Sequence, residues 1–100
     1  MQRHITHPIL TAEDNTQYFF AVFQTNQDIE DFCSKCPWFD KDDAHIYDSY
    51  IIEVHGDISD PENKNEYYYE IFTSSFVKQK LSDKIGIYQS VLGEVINFFN

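Results

Sequence analysis

The residues whose types and spacing most directly suggest chemistry are the two cysteines, Cys33 and Cys36. In redox proteins a CxxC pair places a reactive thiol at a helix N-terminus, where its pKa is lowered. Here the pair falls late in a predicted helix, on its apolar stripe, and follows Asp28, Glu30 and Asp31. This setting raises the pKa of a thiol, so we expect two buried core cysteines and no redox activity.

A zinc site would require the same cysteines together with histidines. His45 and His55 follow in the chain but stand ten residues apart, whereas the two histidines of a zinc finger are roughly four to six residues apart. We therefore expect no metal and no cofactor. A thiol- or zinc-dependent regulator or enzyme that uses Cys33 and Cys36 remains the alternative from a different functional class.

Carboxylates could also bind a cation, and Asp40, Asp42 and Asp43 surround Lys41 in a short acidic stretch. A calcium loop needs a glycine at its turn and a closing glutamate, and neither stands at the required position. The chain also lacks a glycine-rich phosphate loop and a Gly-x-Ser-x-Gly motif. These features favour a solvated acidic loop and a protein that is not an enzyme.

Acidic residues outnumber basic residues by 17 to 7 in this chain of 100 residues, and the formal net charge is -10. Solubility requires a net charge of only about 2 to 8 in magnitude. The surplus indicates a surface that attracts a basic partner. Such a surface repels phosphate, which supplies most of the affinity for nucleic acids, so we expect no direct nucleic-acid binding.

The elements that position these side chains begin with a predicted hairpin of residues 5–11 and 17–23. Residues 17–23 are apolar on both alternating faces, which predicts an interior strand covered on both sides. A helix should begin after Thr25, with Asp28 completing an approximate capping box, and end at Pro37. Its apolar stripe contains Ile29, Phe32, Cys33 and Cys36.

Two further strands are predicted at residues 47–55 and 66–72, joined by a polar connection at 56–65. A C-terminal amphipathic helix should begin at Ser82 or Asp83. The sequence therefore predicts an α+β fold, in which a small, mostly antiparallel sheet of about four strands packs against two or three helices, including a long amphipathic C-terminal helix. We expect one domain over residues 1–100.

The middle of the chain concentrates acids and aromatics, the residue types that steer and anchor protein interfaces. The expected partner-binding residues are Trp38, Asp40, Asp42, Asp43, Tyr47, Asp48, Asp57, Asp60, Glu62, Glu66, Tyr67 and Tyr69.

These observations favour a small acidic inhibitor that occludes a basic surface of a partner protein. We expect an immunity protein that neutralises a toxin nuclease, with a phage-type DNA mimic that inhibits a nucleic-acid-handling defence enzyme as the alternative. The chain has no apolar run of the ~18 residues that a membrane span requires, and its two cysteines fit a reducing compartment. We therefore expect a cytoplasmic protein with no membrane partner.

Overall fold

The computed structural model describes residues 6–73, 86, 89–91 and 93. Four antiparallel strands form one sheet, in which strands that follow each other in the sequence lie side by side. A helix and a 3-10 turn lie between the second and third strands. The elements are β1 (Leu10–Thr11), β2 (Gln17–Phe23), α1 (Asn26–Lys35), the 3-10 turn (Lys41–Asp43), β3 (Asp48–Gly56) and β4 (Tyr67–Thr73).

Helix α1 begins where the sequence predicts, because Thr25 and Asp28 form a capping box. The hydroxyl of Thr25 accepts a hydrogen bond from the Asp28 amide at 3.2 Å, and the Asp28 carboxylate accepts one from the Thr25 amide at 3.1 Å. The same carboxylate accepts the amide of Gln24 at 3.0 Å. These bonds satisfy backbone donors that have no partner within the helix. The helix ends at Lys35, followed by Cys36 as its C-cap and then Pro37.

The central strands β2 and β3 are covered on both sides, as the apolar pattern of residues 17–23 predicts. The first face of the sheet carries the larger core, which includes Ile29 and Phe32 of α1 together with Trp38 and Phe39. The second face carries a smaller core that includes Val91. The strand residues of the first face are Phe19, Ala21, Phe23, Tyr50, Ile52, Val54 and Tyr67, and those of the second are Tyr18, Phe20, Ile51 and Phe72.

The number of helices differs from the prediction. The described residues contain one helix of seven or more residues, α1, so the predicted α+β fold with two or three helices and a long C-terminal helix is wrong. The fold is a small, mostly β domain of four antiparallel strands. Trp38 and Phe39, which follow α1 and lie outside any helix, also cover the first face, where they pack beside Phe32.

Most of the expected C-terminal helix lies outside the described residues. Residues 86, 89–91 and 93 have helical backbone geometry, but no helix of that region is described. Two of these five residues are glycines, and each glycine lowers helix propensity by about 1 kcal/mol relative to alanine. The predicted strand at residues 5–11 pairs only through Leu10–Thr11, and residue 5 is outside the described range.

No helix among the described residues is long and apolar enough to cross a membrane.

Candidate functional site

Tyr69 connects strand β4 to the acidic turn, which we define as residues 40–43. Its hydroxyl donates to the carboxylate of Asp43 at 2.6 Å and accepts the amide of Asp40 at 2.9 Å. Burial raises the pKa of Tyr69, and the nearby Asp43 carboxylate raises it further. The phenol therefore stays protonated as a donor, and three of the expected partner-binding residues lie together.

A second tyrosine, Tyr67, contacts both the β3–β4 loop (residues 57–66) and the segment that directly follows α1. The hydroxyl of Tyr67 donates to the carbonyl of Pro61 at 2.9 Å and also lies 3.3 Å from the carbonyl of Trp38. Tyr67 and Trp38 are both buried. These two expected partner-binding residues therefore belong mainly to the core. Their contacts hold the β3–β4 loop against the segment that follows α1.

Three exposed aspartates are held in place by the backbone of their own loops. Asp40 accepts the amide of Asp42 at 3.0 Å, Asp57 that of Ser59 at 2.9 Å, and Asp60 that of Glu62 at 3.2 Å. The bond from Ser59 lowers the pKa of Asp57. These turns fix the positions of the carboxylates before any partner binds. The remaining acids of the acidic turn and the β3–β4 loop are also exposed: Asp42, Asp43, Glu62 and Glu66.

A groove of about 600 Å³ lies between the acidic turn and strand β4. Its apolar wall is formed by Pro37, Trp38 and Phe39, and residues 67–69 of β4 line the opposite side. Lys41 and Lys64 also line it. The groove therefore combines an aromatic wall with charges of both signs, because Asp40 contributes to the same lining.

Tyr47 and Asp48, also expected to bind a partner, lie at the opposite end of β3 from the β3–β4 loop. Strand β3 has nine residues, and a strand rises about 3.3 Å per residue, so the two ends are well separated. Tyr47 has a positive φ of 69° and is 82% exposed. Asp48 accepts a hydrogen bond from the hydroxyl of Tyr50 at 3.1 Å. The structure does not bring these two residues to the groove.

The two cysteines are free thiols in a setting that keeps them protonated. Burial raises the pKa of Cys36 to about 11 and raises that of Cys33 as well. The expected elevation is therefore present, but burial is its main cause. Asp40 is the acidic residue that contributes to Cys33, and the helix acids Asp28, Glu30 and Asp31 do not. Raised thiol pKa values argue against the thiol-dependent alternative.

Three side chains on the second face form a series of close polar contacts that was not predicted from the sequence. The side chain of Glu53 is fully buried, and its carboxylate lies 2.6 Å from Nε2 of His55. The other ring nitrogen of His55 lies 3.3 Å from the hydroxyl of Thr16. In β3, Ile51, Glu53 and His55 alternate on one face of the strand, so Glu53 occupies a position that faces the core. An ionisable residue at such a position is the sequence signal that could have indicated this group.

Hydroxyl, imidazole and carboxylate stand here in the order used for nucleophilic catalysis. Thr16 is only 2% exposed, so its hydroxyl cannot reach a substrate in solution. Its amide is in turn bonded to the carboxylate of Asp14 at 3.0 Å. The chain of contacts therefore acts structurally, by joining the β1–β2 turn to strand β3.

Among residues 6–73 and the few described later in the chain, no group of three or more His, Cys, Asp or Glu side chains could hold a metal ion. Comparison with known proteins finds no matching family, no matching curated protein and no matching solved structure. The assignment of function therefore depends on the geometry and charge described above.

Proposed function

We propose that this protein is a small acidic inhibitor that binds a basic surface of a partner protein and occludes it without chemistry. The observation that carries this proposal is the set of exposed carboxylates held in fixed positions on the acidic turn and the β3–β4 loop. Asp40, Asp57 and Asp60 are held by backbone amides, and Asp43 is held by Tyr69.

Fixed carboxylates favour binding because the side chains lose little conformational freedom when a partner docks. Their charge is also poorly neutralised within the protein. Among the described residues, the acid–base side-chain contact within 4 Å is that of the Glu53 carboxylate with the His55 imidazole, and this carboxylate is buried on the second face. The exposed acids thus remain available to steer a basic partner, which raises the association rate above the ~10⁶ M⁻¹s⁻¹ of uncharged pairs.

The partner surface that fits this array is one that normally binds phosphates. We propose an immunity protein that acts in the cytoplasm, where its carboxylates take the positions of the phosphates in the substrate groove of a toxin nuclease. Arginine and lysine side chains that bind phosphate also form charge-assisted hydrogen bonds with carboxylates.

The experiment is affinity capture from a lysate of the native host at low salt, followed by elution in a salt gradient and mass spectrometry. We expect one stoichiometric basic protein that resists moderate salt, and we expect its nuclease activity to fall when the acidic protein is added. A smear of basic proteins that elutes together at low salt would contradict the proposal. A captured DNA-binding protein without nuclease activity would instead favour the DNA-mimic alternative.

A matched pair of charge reversals locates the interface on the captured partner. Asp42→Lys lies in the acidic turn, whereas Glu13→Lys lies in the β1–β2 turn, and both residues are exposed. We expect Asp42→Lys to lower the association rate constant by about tenfold and to reduce its salt dependence. Glu13→Lys should have a clearly smaller effect. Equal effects of the two substitutions would mean that the overall charge, and not the acidic turn, attracts the partner.

A further inference from the structure

Tyr68 is the exposed tyrosine of β4, and its ring is held in a defined orientation. The side chain is 59% exposed, yet the ring stacks on the imidazole of His55, with the ring centroids 4.7 Å apart and the ring planes within 7° of parallel. One face of the ring therefore covers His55, and solvent reaches the other. Tyr67 and Tyr69, which were predicted from the sequence to bind a partner, point to the opposite face of the sheet.

The imidazole beneath Tyr68 is itself fixed. It lies 2.6 Å from the buried carboxylate of Glu53 and 3.3 Å from the hydroxyl of Thr16. Both supporting residues are buried in the second face. The exposed ring of Tyr68 is thus held in one orientation by an imidazole that is itself fixed. A ligand that stacks on this ring therefore pays little conformational entropy for immobilising the Tyr68 side chain.

Two exposed glutamates lie within two residues of Tyr68 in the chain. Glu70 follows Tyr68 by two residues in β4, and Glu66 precedes it by two residues. Glu66 lies in the bend just before β4, where its carbonyl accepts the amide of Asp57 at 3.1 Å. Side chains two positions apart in a strand lie on the same face, about 7 Å apart. Neither carboxylate forms a hydrogen bond or ion pair with another described residue.

We propose that Tyr68, Glu66 and Glu70 form a binding site for an arginine side chain of the basic partner. A guanidinium is planar and can stack on the tyrosine ring while its N–H groups reach a carboxylate. A lysine ammonium has no planar face to stack and so fits this site less well. The inference rests on the proposed function only for the source of the arginine, because the site itself can be tested with a peptide.

Tyr47 provides an internal control. It is more exposed than Tyr68, at 82%, and it lies at the other end of the neighbouring strand. Asp48 follows it directly, but the described residues show no ring stacked on Tyr47. If exposure and nearby negative charge were sufficient, Tyr47 would bind arginine as well as Tyr68 does.

The test is an NMR titration of the full chain, labelled with ¹³C in its aromatic rings, with the blocked tripeptide Gly-Arg-Gly at low salt. The blocked tripeptide Gly-Lys-Gly is the reference ligand. We expect saturable shifts of the Tyr68 and His55 ring signals with the arginine peptide, and binding of the lysine peptide at least about threefold weaker. The Tyr47 ring signals should not move.

Variants separate the ring from the carboxylates. Tyr68→Leu should weaken binding of the arginine peptide by about three- to fivefold, and Tyr47→Leu should not change it. Tyr68→Phe should retain most of the affinity, because the ring remains. Glu66→Gln combined with Glu70→Gln should lower the affinity while the His55 and Tyr68 signals keep their positions in the free protein.

Equal shifts at Tyr47 and Tyr68, equal binding of the two peptides, or unchanged affinity in Tyr68→Leu would overturn the inference. These outcomes are independent of the proposed inhibitor function. A protein that binds no arginine peptide at Tyr68 could still capture one basic protein through the acidic turn, and a protein that captures no partner could still bind the peptide.

Discussion

At the scale of single residues, Cys36 and Cys33 differ in burial but share a raised pKa. Cys36 is the more buried of the two, and burial raises its pKa to about 11 from a reference value of 9.0. An increase of that size lowers the thiolate fraction at neutral pH by about a hundredfold, and the thiolate is the reactive form. Both cysteines therefore belong to the packing of α1 on the first face.

We expect the folded protein to react slowly with a thiol reagent such as DTNB at neutral pH. Cys36, isolated by Cys33→Ser, should react at least about a hundredfold more slowly than the same thiol in denaturant. Cys33, isolated by Cys36→Ser, should react faster than Cys36 because it is only half-buried. A fast reaction of either thiol in the folded protein would instead favour a thiol-dependent regulator or enzyme that uses Cys33 and Cys36.

Two tyrosines make the stability sensitive to alkaline pH. Burial raises the pKa of Tyr50 to about 12, and burial raises that of Tyr69 as well. In the unfolded chain a tyrosine has a pKa of about 10. Above that pH the unfolded chain loses protons that the folded protein keeps. The free energy of unfolding therefore falls as the pH rises through ~10 towards the folded values, and it is unaffected by these groups below that range.

This dependence can be measured by urea unfolding between about pH 9 and pH 12. Tyr50→Phe and Tyr69→Phe should each make the decline with pH less steep, because each removes a group that binds its proton more tightly in the folded state. Tyr47→Phe is the control, since its side chain is exposed. Identical slopes for all four proteins would show that these phenols do not contribute.

At the scale of elements, the turn after β3 depends on Gly56. Its φ is +99°, and a Cβ added there would lie 2.1 Å from the carbonyl oxygen of Glu66 and 2.9 Å from Cα of Tyr67. Both neighbours are backbone atoms that cannot move without disturbing the β3–β4 pairing. The glycine thus permits the close approach that starts the β3–β4 loop.

Gly56→Ala should destabilise the protein by about 1–3 kcal/mol or more in urea unfolding, because backbone strain and the clash act together. Gly86→Ala is the matched control. A Cβ at Gly86 would have no atom within 4 Å, and the residue has helical backbone geometry. We expect Gly86→Ala to be neutral or stabilising. Equal destabilisation by both substitutions would contradict this account.

The sequence predicts elements well where local signals and core packing agree. The capping box of Thr25 and Asp28 and the two apolar faces of residues 17–23 locate α1 and β2 correctly. The helix count was wrong because the long C-terminal helix was predicted from periodicity alone, and α1 is the one helix of seven or more residues among the described residues. Contacts between distant segments, such as Tyr69 with Asp43 and His55 with Thr16, depend on strand register, which alternation alone does not fix.

At the scale of the whole molecule, the net charge of -10 is spread over a small surface. Like charges at this density repel one another and oppose the compact state. Raising the salt concentration from about 0.01 M to 0.1 M shortens the Debye length from ~30 Å to ~10 Å. Screening should therefore stabilise the free protein while it weakens the binding of a basic partner.

We expect the urea midpoint of the free protein to rise with salt over this range. A variant with less charge, Asp42→Asn combined with Glu62→Gln, should show a smaller rise, because both residues are exposed acids. A midpoint that falls with salt would mean that attractive ion pairs outweigh repulsion in the folded protein. The same variant should bind the partner more slowly, which links the cost in stability to the proposed function.

Trp38, the single tryptophan of the chain, gives the molecule a built-in optical reporter. Its ring is buried in the first face, with ring centroids 4.9 Å from Phe19 and 5.9 Å from Tyr69, and it also lines the groove. Its fluorescence should respond when a partner fills the groove. A ligand that stacks on the Tyr68 ring above His55, on the second face, should change that emission less, although Tyr68 also contributes to the groove lining. One unlabelled sample can therefore distinguish occupancy of the two surfaces.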